Sequence, residues 1–188
     1  MRIVAGEFRG RSLLTPASDR IRPTADRVRQ TVFDILIHSY DDPVIGARVL
    51  DLFAGTGAFG LEAISRGAAN ALFVEDGVEA RALIRGNVEA FGLTGRTRIF
   101  RRDATRLGDA GNLPPFTLVF VDPPYREGLG EKALAAAVAG GWLGDGAIVV
   151  LEEAGDAKIE PIKGLEMLET RHIGDTAVHF LAAGAVRP

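Results

Sequence analysis

Hydrophobic positions fall in two textures along the chain. From Arg48 onward, short apolar runs alternate with stretches of helical period. Val49-Leu50-Asp51-Leu52-Phe53, Ala71-Leu72-Phe73-Val74-Glu75, Arg98-Ile99-Phe100, Leu118-Val119-Phe120-Val121-Asp122 and Ala147-Ile148-Val149-Val150-Leu151 read as buried strands. Helices are predicted over Ala58 to Arg66, around Val78, Leu83, Ile84 and Val88, and over Glu131 to Ala139. Two last strands, near 165–170 and 176–181, are separated by too few residues for a parallel crossover and should be antiparallel neighbours. Strands alternating with helices predict an α/β sheet, mostly parallel and covered on both faces.

The first 42 residues differ. Arg2-Ile3-Val4-Ala5 and Arg11-Ser12-Leu13-Leu14 flank a glycine-bearing loop and read as a β-hairpin. Irregular chain through Pro16 and Pro23 then leads to a helix from Ala25, with Thr24 as its N-cap and Val28, Val32, Ile35 and Leu36 on one face. The expected division is an appendage over residues 1–42 and a main domain over 43–188.

Ligands of such sheets bind beyond the carboxyl ends of the strands, so the chemistry is sought there. The first strand runs into Gly55-Thr56-Gly57-Ala58-Phe59-Gly60, a G-x-G-x-x-G loop between strand and helix. A tight turn, a dinucleotide site and another adenosine-bearing cofactor are all compatible with that spacing. Asp51 at the strand end would repel a pyrophosphate but attract the ammonium and sulfonium of S-adenosylmethionine. Glu75 ends the second strand and can take both ribose hydroxyls, with Asp76 as its competitor. Asp103 after the third strand could accept from an adenine amine, although Asp is also a common helix cap. The fourth strand ends in Asp122-Pro123-Pro124-Tyr125. Two prolines remove two N–H donors, leaving a carboxylate and a carbonyl as acceptors beside an aromatic face. That combination suits a planar ring bearing an amine, held by its hydrogens and stacked on tyrosine.

Composition adds exclusions. There is no cysteine, which excludes disulfides, thiol catalysis and cysteine-built zinc sites. His38, His172 and His179 are isolated, and no metal is expected. No apolar run reaches the roughly 18 residues of a membrane span, and the N-terminus lacks a signal-peptide core, so a cytoplasmic protein is expected. The formal charge of −3 is unevenly spread: +4 over residues 1–30, −6 over 31–80, +5 over 81–106 and −6 over 107–188. Of the 22 basic residues 19 are Arg, the better phosphate donor. An Arg-rich surface confined to one face, on an acidic body, is predicted.

Arg2-Ile3-Val4-Ala5-Gly6 with Gly10-Arg11, Arg22-Pro23-Thr24 with Val28-Arg29, Asp51 to Gly57 with Gly60-Leu61-Glu62-Ala63, and Asp122 to Tyr125 together resemble the bacterial RsmD family. Its members methylate guanine N2 in 16S ribosomal RNA. The resemblance implies a Rossmann-like class I methyltransferase: a seven-stranded, mostly parallel sheet with an antiparallel terminal pair, plus the N-terminal hairpin and helix. It implies S-adenosyl-L-methionine as cofactor, held by Asp51, Phe53, Gly55, Thr56, Gly57, Glu75, Asp103, Ala104 and Thr24. Asp122, Pro123, Pro124 and Tyr125 would hold the guanine. Arg2, Arg9, Arg11, Arg22 and Arg29 would contact RNA, and the partner would be 16S rRNA or the small subunit, met by a monomer. Gln30 and Asp34 depart from the pattern, which has Glu after Val-Arg and Asn after Phe. The competing readings are an N6-adenine methyltransferase acting on DNA or RNA and an NAD-dependent oxidoreductase. The first lacks room for a target-recognition domain, and the second lacks a histidine at a strand end.

Overall fold

The computed structural model describes residues 1–16 and 26–184. Its strands are β1 (Arg48–Leu52), β2 (Asn70–Val74), β3 (Thr97–Phe100), β4 (Phe116–Val121), β5 (Leu143–Ala154), β6 (Leu165–Ile173) and β7 (Thr176–Ala183). Its α-helices are α1 (Asp26–Ser39), α2 (Ala58–Ser65), α3 (Val78–Ala90) and α4 (Leu129–Ala139). The strands form one sheet in the order β3-β2-β1-β4-β5-β7-β6. β1 to β5 pair in parallel, and β7 runs antiparallel between β5 and β6. The strand order reverses at β1 and β4, which lie side by side with Leu52 opposite Val121. The predicted seven-stranded mixed sheet is thus present.

Boundaries differ in informative ways. β5 is a 12-residue strand, longer than its apolar run, because residues 152–154 continue pairing with β7 although two of them are glutamates. Its pairing with β4 slips between Phe116 and Leu118, which expels the glycine-rich 144–147 stretch from the ladder. β6 and β7 are joined by Gly174-Asp175 alone, with Gly174 at φ 62°, the conformation a two-residue hairpin loop requires.

Two apolar layers cover the sheet. On one face α1, α2, α3 and the N-terminal segment contribute Ile3, Leu13, Val32, Phe33, Leu61 and Ile84 to one continuous core. On the other, α4 and the chain around Leu107 enclose Trp142 and Phe116. Trp142 is fully buried, stacks on Phe116 and donates to the Gly108 carbonyl at 2.8 Å, so it packs behind the alanine-rich helix.

The N-terminal hairpin is shorter than its alternation suggested. One antiparallel bridge, Arg2 with Ser12, is flanked by hydrogen bonds from Ile3 to Arg11 and from Gly10 to Ile3. Docking compensates for the short ladder. Gly6, at φ 82°, lies so close to the end of α2 that a Cβ there would fall 1.8 Å from the Ser65 carbonyl oxygen. Ser65 in turn accepts from Glu7 and Phe8 and donates to the Ala5 carbonyl.

Beneath this contact lies Glu62, fully buried on α2. Its carboxylate accepts from the amides of Val4 (2.8 Å) and Ala5 (3.0 Å), from Arg29 Nε (3.3 Å) and from Arg66 Nε (2.8 Å). One carboxylate therefore ties the hairpin, α1 and the end of α2 together. Burying it without partners would be prohibitive; four donors, two of them cationic, offset the desolvation.

Candidate active site

β1 and β4 end together, and the loops that follow them define a cavity of about 620 Å³, within the range of small-ligand sites. Asp51, Phe53, Gly55, Thr56, Glu75 and Asp122 to Tyr125 all line it, so residues spread over 75 positions of sequence converge as expected. Asp122 is held at the rim by its own amide, which reaches the Leu52 carbonyl at 3.4 Å.

The glycine loop turns in a left-handed succession: Phe53 at φ 57°, Gly55 at 56° and Gly57 at 77°, with Gly57 capping α2. The third glycine serves a different purpose. A Cβ on Gly60 would come within 2.5 Å of the Phe73 ring and 3.2 Å of Asp51 Oδ2. Only glycine lets the Gly60 amide donate to that carboxylate, at 2.9 Å. The loop thus orients an acid instead of opening to a phosphate.

Asp51 is 2% exposed. Burial pushes its carboxyl well above the usual carboxylate range, the Gly60 hydrogen bond opposes this, and the charges of Asp122 and Glu75 push it further up. The cavity is lined by Asp51, Glu75, Asp76, Glu79 and Asp122 and by no lysine or arginine among the described residues. Such a site disfavours phosphate and favours a cation, which argues against NAD. Glu75 is held ready: Oε2 accepts from the Gly55 amide at 2.9 Å and Oε1 from Gly77 at 2.8 Å. Those amides leave each oxygen a lone pair toward the cavity, as a ribose diol needs. The donor set fits S-adenosylmethionine.

Tyr125 is clamped from behind. Its hydroxyl donates to Glu152 Oε1 at 2.5 Å and lies 3.2 Å from Thr176 Oγ1. Burial and the Glu152 carboxylate push the phenol pKa up, so the ring stays neutral. Glu152 sits on β5 and Thr176 opens β7, so the antiparallel end of the sheet fixes the orientation of this ring. Sequence reading missed both residues. Glu152-Glu153 directly follows an apolar run, but nothing local marks either as buried, which both are. Val78, also unforeseen, lines the cavity while 74% exposed at the start of α3.

The remaining candidates separate. Asp103 and Ala104 do not line this cavity. Asp103 caps a short 3-10 turn, accepting from Thr105 N at 2.8 Å and Thr105 Oγ1 at 2.7 Å, while Ala104 is buried in the second core. Gly57 faces Phe73 and Ile84. Thr24 and Arg22 lie outside the described residues. Arg29, expected to meet RNA, is completely buried, with ion pairs to Asp26 and Glu62. Its place in the pattern is a structural one, and it cannot contact a partner. Arg11 is exposed but stacks over Phe91 at 4.3 Å and donates to the Ala90 carbonyl. Arg2 and Arg9 are exposed on the hairpin. The two departures from the pattern meet each other: Gln30 Nε2 donates to Asp34 at 2.5 Å, and Gln30 Oε1 accepts from Arg66 at 3.1 Å. The basic stretch is divided between the two edges of the sheet, because β3 carries Arg98 and the preceding Arg96 at its amino end and Arg101 and Arg102 beyond its carboxyl end.

Comparison with known proteins agrees with this geometry. The family model described as conserved hypothetical protein 95 matches residues 1–182. Ribosomal RNA small subunit methyltransferase D of Escherichia coli K12 is 41% identical over 154 residues, covering 81% of this chain and 74% of that protein. The Haemophilus influenzae protein of the same name is 31% identical over 177 residues, covering 93% and 89%. Among solved structures, YhhF from Escherichia coli superposes with a TM-score of 0.81 at 33% identity, covering 98% of both chains. An RNA methyltransferase from Salinibacter ruber with bound S-adenosyl-L-homocysteine shares the fold, with a TM-score of 0.66 at 15% identity over 89% of this chain and 97% of that one. The chain belongs to the ribosomal RNA small subunit methyltransferase D family of S-adenosylmethionine-dependent enzymes.

Proposed function

We propose that this protein transfers a methyl group from S-adenosylmethionine to the exocyclic N2 of a guanine in 16S ribosomal RNA, acting in the cytoplasm on the small subunit or its RNA. The observation that carries this reading is one cavity that joins an acid-lined cofactor half, Asp51 and Glu75, to an acceptor-and-ring half, Asp122 to Tyr125. The relatives named for small-subunit rRNA methylation support the choice of RNA.

Bound S-adenosylmethionine supplies an electrophilic methyl carbon on sulfur. Asp51 attracts its positive charge and Glu75 takes its ribose hydroxyls. Asp122 and the Pro123 carbonyl accept the two amine hydrogens of the guanine, turning the nitrogen lone pair toward the methyl, while the Tyr125 ring stacks on the base. Positioning of this kind supplies most of the acceleration. The N–C bond forms as the S–C bond breaks, and the methylated nitrogen then loses a proton, for which Asp122 is the adjacent acceptor. Residues 1–42 supply the RNA contact and the cap. Met1 Sδ lies 3.6 Å from Thr56 Oγ1, which places the start of the hairpin at the edge of the cavity, with Arg2 and Arg9 exposed nearby.

In vitro methylation of small ribosomal particles and of naked 16S RNA with labelled cofactor, followed by nucleoside analysis, tests the reading. N2-methylguanosine is expected. Label found only in N6-methyladenosine would overturn the choice of base.

A further inference from the structure

The sheet has a second cavity at its other end. It measures about 440 Å³ and crosses the amino ends of four parallel strands, lined by their first residues Arg48, Asn70, Thr97 and Phe116. Arg96, Arg98 and Asn112 complete its polar wall, and no carboxylate lines it.

Two of the three arginines are fixed. Arg48 donates to the carbonyls of Pro114 (3.1 Å) and Pro115 (3.3 Å), with its guanidinium over the Phe116 ring. Arg96 donates to Ala68 (2.7 Å) and Ala69 (3.2 Å). These bonds hold the guanidinium groups in place without neutralising them, and each keeps N–H donors unused. Arg98 is exposed and carries no hydrogen bond or ion pair among the described residues. Among the described residues none of the three forms a salt bridge, so three like charges line one hollow. An arrangement of that kind is relieved by an anion, and planar guanidinium groups match phosphate oxygens in pairs.

We infer that this cavity is a second RNA-binding site, which grips a backbone phosphate of the substrate on the edge of the sheet opposite the catalytic one. The inference rests on the proposed RNA methyl transfer. The acid-lined catalytic cavity repels phosphate, so the grip on the backbone must come from elsewhere on the surface. The two edges are separated by a strand of four to six residues, about 13–20 Å. A long, folded RNA can reach both edges, whereas a short oligonucleotide seated in the catalytic cavity cannot.

The test measures cofactor-independent binding of the full chain by fluorescence anisotropy, across a salt series. Arg98→Glu and Arg98→Gln are compared with wild type on a structured 16S RNA fragment and on a short oligonucleotide containing the target. Arg98 is exposed, and an unchanged melting temperature would confirm folding. Arg98→Glu should weaken binding of the long RNA about tenfold and lower the slope of log affinity against log salt by about one, leaving the oligonucleotide unaffected. Arg98→Gln should fall between. Wild-type affinity and slope in Arg98→Glu would overturn the site, as would equal weakening of both RNAs, which would mean a general charge effect. Because binding is read without turnover, failure here differs from failure of the methylation reading, which appears as absent N2-methylguanosine with the wild-type protein.

Discussion

Two buried acidic centres, Asp51 and Glu62, flank the glycine loop 11 positions apart and are built oppositely. Glu62 is saturated: two backbone amides and two arginines take its oxygens. Asp51 receives one amide, from Gly60, and its charged neighbours are two more carboxylates. In the first, the charge is satisfied by the fold itself and its energy goes into docking the N-terminal segment. In the second, the folded chain leaves an electrostatic demand that a cationic ligand satisfies. Burial by itself does not mark a functional acid; the sign of what surrounds it does.

That contrast can be broken experimentally. The largest effect is expected at the cavity rim. Asp122→Ala should lower methyl transfer on the order of a thousandfold, comparable to loss of a key transition-state hydrogen bond, while calorimetry shows cofactor binding largely retained. Near-normal turnover would displace Asp122 from the reaction. Next comes the saturated centre: Glu62→Ala takes one of the two ion-pair partners from the buried Arg29 and frees the amides of Val4 and Ala5, and should cost about 3–5 kcal/mol in urea unfolding. A loss below about 1 kcal/mol would show that the cluster relaxes onto water.

The demanding centre should respond with the opposite sign. Because the folded-state pKa of Asp51 is raised, the fold favours its protonated form, and its contribution declines as pH rises from the ordinary carboxylate range through the raised value. Asp51→Asn should remove that decline and leave the ligand-free protein at least as stable as wild type at neutral pH, while weakening cofactor binding by one to two orders of magnitude, about 1.4 kcal/mol per tenfold. A destabilised Asn variant with normal cofactor affinity would reverse the assignment. The smallest effect concerns the clamp on the ring. Tyr125→Phe keeps the stacking face but removes one donor from the buried Glu152, costing about 1–3 kcal/mol of stability and a modest part of the turnover. Equal stability and turnover would mean that Glu152 does not position the ring.

Much of this site was legible in one dimension. Asp51, Glu75 and Asp122 each end a predicted strand, and a parallel sheet brings strand ends together by its topology, so period and spacing sufficed to gather them. The glycines between β1 and α2 marked a tight turn, and its left-handed course appeared only in the fold. What failed to show was whatever depends on which side chains meet across the sheet. Arg29 and Glu62 lie 33 residues apart, and nothing local marks either as the partner of the other. Arg29 therefore read as an RNA contact when it is core. Glu152 and Thr176 look like ordinary strand residues until β7 is laid beside β5.

The charge pattern teaches the same lesson. The basic stretch from Arg96 to Arg102 is contiguous in sequence, but a strand carries each residue about 3.3 Å onward, so β3 distributes its ends to opposite edges of the sheet. The sequence by itself determined the alternation of strands and helices, the acidic strand ends and the run of acceptors and ring at Asp122 to Tyr125, because these follow from local period and backbone chemistry. The tertiary structure alone decided which charges are satisfied, which are left for ligands and on which edge each arginine stands. Electrostatic energy depends on distance and burial in space, and neither is encoded by separation along the chain.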